Sequence, residues 1–264
     1  AAGDARRMTG ITAPSEIPGT FGMTIWQPHG VVGLITPWNF PVCIPLWKIA
    51  PAIAAGNTVV LKPAPETPAT AHLIGKLIQE AGIPEGVVNI VHGDVEPATA
   101  IVDHPDVAAI SFTGSTEVGR IIEARCGELH KPVQCELGGK NPLLIFSDAD
   151  IDLAAAACAK GAFGSTGQRC TATSRAIVMN DVADAFVAKV LEHAAAVRAG
   201  HPLDEATTMG PSVSERQLAQ VIKYMDIGKG EAELKCGGER MMDGSHGGGY
   251  FPAPTVFDHV ASTA

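Results

Sequence analysis

The sequence predicts an α/β protein built on a mostly parallel sheet. Short β-branched runs bounded by Gly and Pro alternate with segments whose apolar residues fall at helical spacing. The order strand, helix, strand then repeats along the first half of the chain, and such repeats need crossover connections and parallel pairing. A hydrophobic content of 46% over 264 residues is enough to cover that sheet with a core.

VVGLIT (31–36) is the first strand of the series, closed by Gly30 and Pro37. A helix is predicted from Leu46 to Ala55, ended by Gly56-Asn57, with Pro51 implying a kink. TVVLK (58–62) follows as a strand. The next helix runs from Thr67 to Ala81, with Ala71, Ile74, Leu77 and Ile78 on one face and Gly82 as its cap. VVNIV (87–91), a short helix from Pro97 to Val102, and VAAISF (107–112) continue the pattern. Ser115 opens a further helix, with Glu117 placed to favour the helix dipole. PVQCEL (132–137) and PLLIF (142–146) are strands.

Beyond Asp148 the texture changes. Asp150 caps an Ala-rich helix to about Phe163, followed by a strand from Arg175 to Met179 and helices from Val182 to Val197 and from Ser214 to Ile227. The glycines of 237–249 read as an exposed, hairpin-like turn, because no strand-to-helix switch surrounds them. A boundary is expected near 138–142, giving domains over 1–139 and 140–264.

A net charge of −9 and a pI near 5.4 argue against nucleic acid as a partner. No apolar run reaches the roughly 18 residues of a membrane span, and AAGDARRMTG lacks a signal-peptide core. Met8 is the first methionine, which predicts a processed chain or a piece of a longer one. Six cysteines without a C-x-x-C pair fit a reducing, cytoplasmic compartment and no metal site.

One cysteine stands apart. Cys170, in FGSTGQRCTATSR, lies among Gly, Ser and Thr, where a thiol meets polar dipoles and solvent. Cys43, Cys126, Cys135 and Cys158 read as inert structural thiols. Four further stretches end or follow strands: TPWNFP (36–41), KPAPET (62–67), FTGSTEVG (112–119) and ELGGK (136–140). Each taken singly is an ordinary turn. Ligands of parallel sheets, however, sit at the carboxyl ends of strands.

Together with GQRC (167–170), these stretches resemble the aldehyde dehydrogenase family, over nearly the whole chain and in matching order and separation. The resemblance implies a Rossmann-type parallel-sheet domain followed by part of an α/β catalytic domain. It also implies oxidation of an aldehyde to a carboxylate with NAD or NADP. Cys170 would be the nucleophile, passing through a thiohemiacetal and a thioester. Glu136 would be the general base, its pKa raised by burial at a strand end. Asn39 and the Cys170 backbone N–H would hold the oxyanion. Lys62, Trp38, Gly114 and Ser115 would bind the cofactor. Where NAD-preferring members often carry a glutamate, three residues after the lysine, this chain has Pro65, with Glu66 shifted by one; NADP is therefore expected to be tolerated.

The segments GAFGSTGQRCTATSR, WKIAPAIAAGNTVVLKP and YMDIGKGE look most like the branch acting on 2,5-dioxopentanoate, with succinate semialdehyde as the nearest competitor. Arg169 and Arg175 are candidates to meet an acidic substrate, and each also has a structural reading. Family members continue past a strand like PAPTVFDHV with a second cofactor segment and an arm that builds dimers, so the resemblance implies a fragment of a homodimer or homotetramer. A non-catalytic dinucleotide-binding scaffold and a cofactor-free thiol esterase are the readings from other classes.

Overall fold

The computed structural model describes residues 1–263. The chain divides into two compact units, one ending at Gly138 and the other beginning at Gly139. Among the described residues no helix is long and apolar enough to cross a membrane.

The first unit runs α1 (Ala2–Ala5), β1 (Thr12–Pro14), β2 (Phe21–Met23), β3 (Val31–Ile35), α2 (Cys43–Ala54), β4 (Thr58–Lys62), α3 (Pro68–Glu80), β5 (Val88–Ile90), α4 (Val95–Asp103), β6 (Val107–Gly114), α5 (Thr116–Glu128) and β7 (Val133–Leu137). β1 and β2 form an antiparallel pair. The other strands make one parallel sheet of order β5-β4-β3-β6-β7. β3 lies at the centre: the chain winds outward through β4 and β5, then returns to place β6 on the other side of β3. The strand order therefore reverses between β3 and β6.

Side chains of a parallel strand are buried on both faces, so two cores form. Val32, Leu34, Val59 and Leu61 pack with Ile49 of α2 and Ile74 of α3. On the opposite face Ile35, Ile110 and Phe112 pack with Ile101 and Val102 of α4 and Ile122 and Cys126 of α5. Gly33 makes the second core possible. A Cβ there would collide with Cγ2 of Ile101 and meet Cδ1 of Ile110 at 2.8 Å.

The strands and helices fall where periodicity places them, and three helix ends do not. α2 begins at Cys43 instead of Leu46, and α4 at Val95 instead of Pro97. Both carry a proline at their third position, Pro45 and Pro97. First-turn N–H groups have no intrahelical partner, so a proline there costs no hydrogen bond. α2 ends as expected, and Asn57 ties the end down: its amide donates to Ala52 O at 3.1 Å, and its carbonyl accepts from Gly30 N at 3.2 Å.

The second unit runs β8 (Asn141–Ile145), α6 (Ile151–Phe163), β9 (Thr173–Val178), α7 (Ala183–Ala195), α8 (Glu215–Glu231), β10 (Glu233–Cys236) and β11 (Val256–Asp258). β8 and β9 pair in parallel across α6, over a core of Ile145, Ala155, Cys158, Phe186 and Val190. Asp150 and Ser214 cap their helices, accepting from Leu153 N at 3.0 Å and Gln217 N at 3.2 Å. β10 and β11 form the antiparallel hairpin expected around the glycines. α8 is the third helix that departs from expectation, running past Ile227 through Gly228 and Gly230. The Phe257 ring of β11 lies against Gly228, where a Cβ would meet Cε2 at 2.7 Å. The packed hairpin, rather than helix propensity, carries the last turn.

The cysteines follow the expectation except at one position. Cys126 and Cys158 are buried, and burial raises both thiols. Cys135 packs against the α5 side of the sheet, and burial is the first cause that pushes its thiol up to about 11. Cys43 is exposed, contrary to its reading as a buried thiol. As the first residue of α2 it precedes the turn in which the helix turns its apolar stripe inward.

Candidate functional site

The residues singled out in the first unit gather at one edge of the sheet. Ile35 pairs with Lys62 on one side and with Phe112 on the other, and Phe112 pairs with Cys135. Every strand in that row ends within about two residues. Trp38 and Asn39, both half-buried, lie in the turn leaving β3. Lys62 is the last residue of β4, and the exposed Pro65 follows it. Gly114 closes β6, and Ser115 caps α5, its hydroxyl accepting from Val118 N at 3.3 Å. Glu136 is the penultimate residue of β7.

This edge holds unusual polar chemistry. Lys62 is only 6% exposed. Burial lowers its ammonium pKa, and the carboxylates of Asp94 and Glu66 partly offset that. Thr36 and Thr113, at the ends of β3 and β6, are buried, and their hydroxyl oxygens have no hydrogen-bond partner among the described residues. Buried unpaired hydroxyls cost free energy, so a pair of them at a strand switch point marks a place built for a ligand.

Glu136 departs from expectation: it is exposed, not buried. Period-two alternation turns it toward the α2 side, opposite Cys135. There it joins a polar chain that pattern reading missed. Lys48 of α2, 7% exposed, donates to Ser111 of β6 and, at 3.2 Å, to Oε1 of Gln134. Ser111 also donates to Gln134 Oε1, and Gln134 Nε2 donates to Glu136 Oε1 at 2.8 Å. Burial pushes the Lys48 ammonium down to about 8, with the charges of Glu136 and Cys135 acting against it. The one available signal was a lone lysine in the apolar stretch LWKIAPAI.

In the second unit Cys170 is exposed, in the loop between α6 and β9. The loop is held by bonds that leave its sulfur out of the network. Ser165 and Thr166 adopt left-handed backbone with φ of 54° and 58°, which is strained for a β-branched residue such as Thr166. Thr166 Oγ1 donates to Gly210 O at 2.7 Å, and Gln168 Oε1 accepts from Val213 N at 2.9 Å. Arg169 turns back on α6, its Nη2 donating to Lys160 O at 3.0 Å and Gly161 O at 3.2 Å. Asn141 Nδ2 donates to the Cys170 carbonyl at 2.7 Å and to Ala172 O at 3.0 Å. Arg169 is thus spent on the ends of α6 instead of facing the thiol or an acidic ligand. Arg175 is exposed, with one bond from Nη2 to Lys140 O at 2.8 Å. Asn141 and Gln168, neither singled out by pattern, are what orient the cysteine loop.

An open parallel sheet with a strand-order reversal and polar groups at its carboxyl edge defines a nucleotide-type α/β protein, here joined to a unit that displays a pinned, exposed thiol. The chain belongs to the aldehyde dehydrogenase family, whose sequence model matches residues 1–264. It is 44% identical over 99% of its length to an alpha-ketoglutaric semialdehyde dehydrogenase of Bacillus subtilis, covering 54% of that protein. It is 46% identical over 98% of its length to a 2,5-dioxopentanoate dehydrogenase of Saccharolobus solfataricus, covering 54% of it. Human retinaldehyde dehydrogenase 3 is 45% identical over 98% of the chain, which covers 50% of that enzyme. Among solved structures, an NAD-dependent aldehyde dehydrogenase from Sinorhizobium meliloti matches with a TM-score of 0.93 at 39% identity, over 98% of this chain and 51% of that one. An NADP dependent enzyme from E. coli matches with a TM-score of 0.93 at 36% identity, over 100% of this chain and 54% of that one. The chain thus spans about half the length of the relatives it matches.

Proposed function

We propose that the full-length protein oxidises an aldehyde to a carboxylate with NAD or NADP, and that Cys170 is its nucleophile. The observation that carries this is the cysteine loop: four side chains fix its backbone, and none of them engages the sulfur. A thiolate forms a covalent adduct with an aldehyde carbon, and the carbonyl oxygen becomes an oxyanion. Asn39 and the Cys170 N–H donate to that oxyanion. Glu136 takes a proton from the water that hydrolyses the thioester, releasing the acid and the thiolate. Exposed on its strand, Glu136 is open to the water it activates.

The residues at the sheet edge fit a dinucleotide. Lys62 supplies a desolvated ammonium for ribose hydroxyls, the buried Thr36 and Thr113 hydroxyls lack partners among the described residues, and Gly114-Ser115 opens a helix N-terminus suited to a pyrophosphate. Trp38 lines the same edge. A nicotinamide, when bound, supplies the hydride acceptor that carries the cysteine adduct to the thioester oxidation level. In this reading residues 1–139 form the dinucleotide-binding domain and 140–264 part of the catalytic one. The six cysteines are free, in keeping with work in the reducing cytoplasm. Exposed apolar side chains on β8 and β9 and just beyond them, Leu144, Phe146, Ile177 and Met179, are in keeping with a homo-oligomer.

For the substrate we infer a semialdehyde, 2,5-dioxopentanoate first and succinate semialdehyde second. The Bacillus and Saccharolobus relatives, an alpha-ketoglutaric semialdehyde dehydrogenase and a 2,5-dioxopentanoate dehydrogenase, support this, and Arg175 is the candidate arginine left to meet a carboxylate. The test is NAD(P)-dependent absorbance of the full-length protein with both semialdehydes and a simple alkanal. The highest kcat/KM is expected for 2,5-dioxopentanoate; cofactor binding with no reduction across the panel would instead favour a non-catalytic scaffold.

Cofactor choice is a separate expectation. Pro65 sets no charge against a 2′-phosphate, so kcat/KM for NAD over NADP should stay below about a thousandfold, roughly 4 kcal/mol. A larger ratio would mean that Glu66 or Asp94, both close enough to act on Lys62, takes over the discrimination.

A further inference from the structure

We propose that Gln134 is a positioning residue for Glu136: its amide, oriented by Lys48 and Ser111, donates to the Glu136 carboxylate and holds it on the α2 side of the sheet. This rests on reading Glu136 as the base.

The geometry leaves Gln134 one useful orientation. An ammonium has only donors, and Lys48 points one at Gln134 Oε1. Ser111 adds a second donor to the same oxygen. With its carbonyl satisfied twice, the amide must turn its NH2 away, and that group meets Glu136 Oε1 at 2.8 Å. The register explains why these side chains meet. Ser111 pairs with Gln134 across β6 and β7, and Glu136 lies two residues on, so all three share one face. That face borders a cleft of about 660 Å³ whose lining includes His29, Trp47, Lys48, Ser111, Gln134 and Glu136.

The charged group that acts on Glu136 from α2 is Lys48. β6 contributes the neutral Ser111, and Cys135 of β7 faces away. The hydrogen bond from the Gln134 amide fixes which way the exposed Glu136 carboxylate points, and losing it frees that side chain to leave the place from which it would meet water.

The test is Gln134→Met in the full-length protein, similar in length and without a donor. At pH 7 kcat should fall about three- to tenfold, with KM held within about twofold, because a base out of position slows the chemical step and not binding. The burst of reduced cofactor before steady state should grow, because thioester hydrolysis is the step slowed. Gln134→Glu keeps an acceptor for Lys48 and removes the donor, so it should lower kcat and enlarge the burst in the same way; it decides the matter if the methionine variant does not fold. A merely structural role would lower Tm and rate without enlarging the burst, and a burst and kcat equal to the parent's would overturn the proposal. A parent that oxidises no aldehyde would overturn the functional reading instead.

Discussion

Replacing Cys170 by alanine is expected to lower kcat/KM for aldehyde oxidation by at least about 10⁴-fold, with cofactor affinity and Tm close to the parent's. The expectation is sharp because the loop does not depend on the sulfur. Asn141 holds the Cys170 carbonyl, Arg169 holds the end of α6, and Gln168 and Thr166 hold the 210–213 segment. Alanine keeps all of these bonds and removes only the nucleophile. Steady-state kinetics beside cofactor titration and a thermal melt make the measurement. Activity within tenfold of the parent's would exclude Cys170 as the nucleophile, and lost cofactor binding would show that the loop has a structural task.

Gly33→Val is expected to be the most damaging single change to the first unit. Gly33 is buried in the central strand, hydrogen-bonded between β4 and β6, so its backbone cannot retreat. An added side chain meets Ile101, Ile110 and Val107, the helix and strand that close the second core. Overpacking of this kind costs about 1–3 kcal/mol, which lowers Tm by roughly 2–12 °C in a chain of this size. Gly127→Ala is the control: beyond its own stretch of helix no described heavy atom lies within 4 Å of its added Cβ, so the melt should not fall. Equal melts for Gly33→Val and the parent would mean that α4 does not press on β3.

The site was legible to different depths. Cys170, Lys62, Ser115 and Glu136 stand out in sequence because chemistry-bearing residues follow strands or sit in Gly-rich turns. Asn141, Gln168, Lys48 and Gln134 do not stand out, because each acts through a partner distant in the chain. The Gln134 amide looks like any polar residue on a strand until Lys48 and Ser111 are seen to orient it. The burial expected for Glu136 failed for a related reason. Adjacent glycines say that backbone is open there, and they do not say which helix covers that face of the strand. Arg169 shows the converse: a cation beside the thiol reads as a partner for an acidic substrate, yet the nearby carbonyls at the end of α6 take its guanidinium.

By itself the sequence determined the alternation of strands and helices, the parallel class of the sheet, the helix starts at Ser115 and Asp150, and the exposed cysteine. These follow from local rules of periodicity, turn chemistry and side-chain capping that act over a few residues. Only the tertiary structure decided the strand order with its reversal beside β3, the extra turn of α8 against Phe257, and the polar chain from Lys48 to Glu136. Those depend on which elements become neighbours, and that is settled by packing between distant segments.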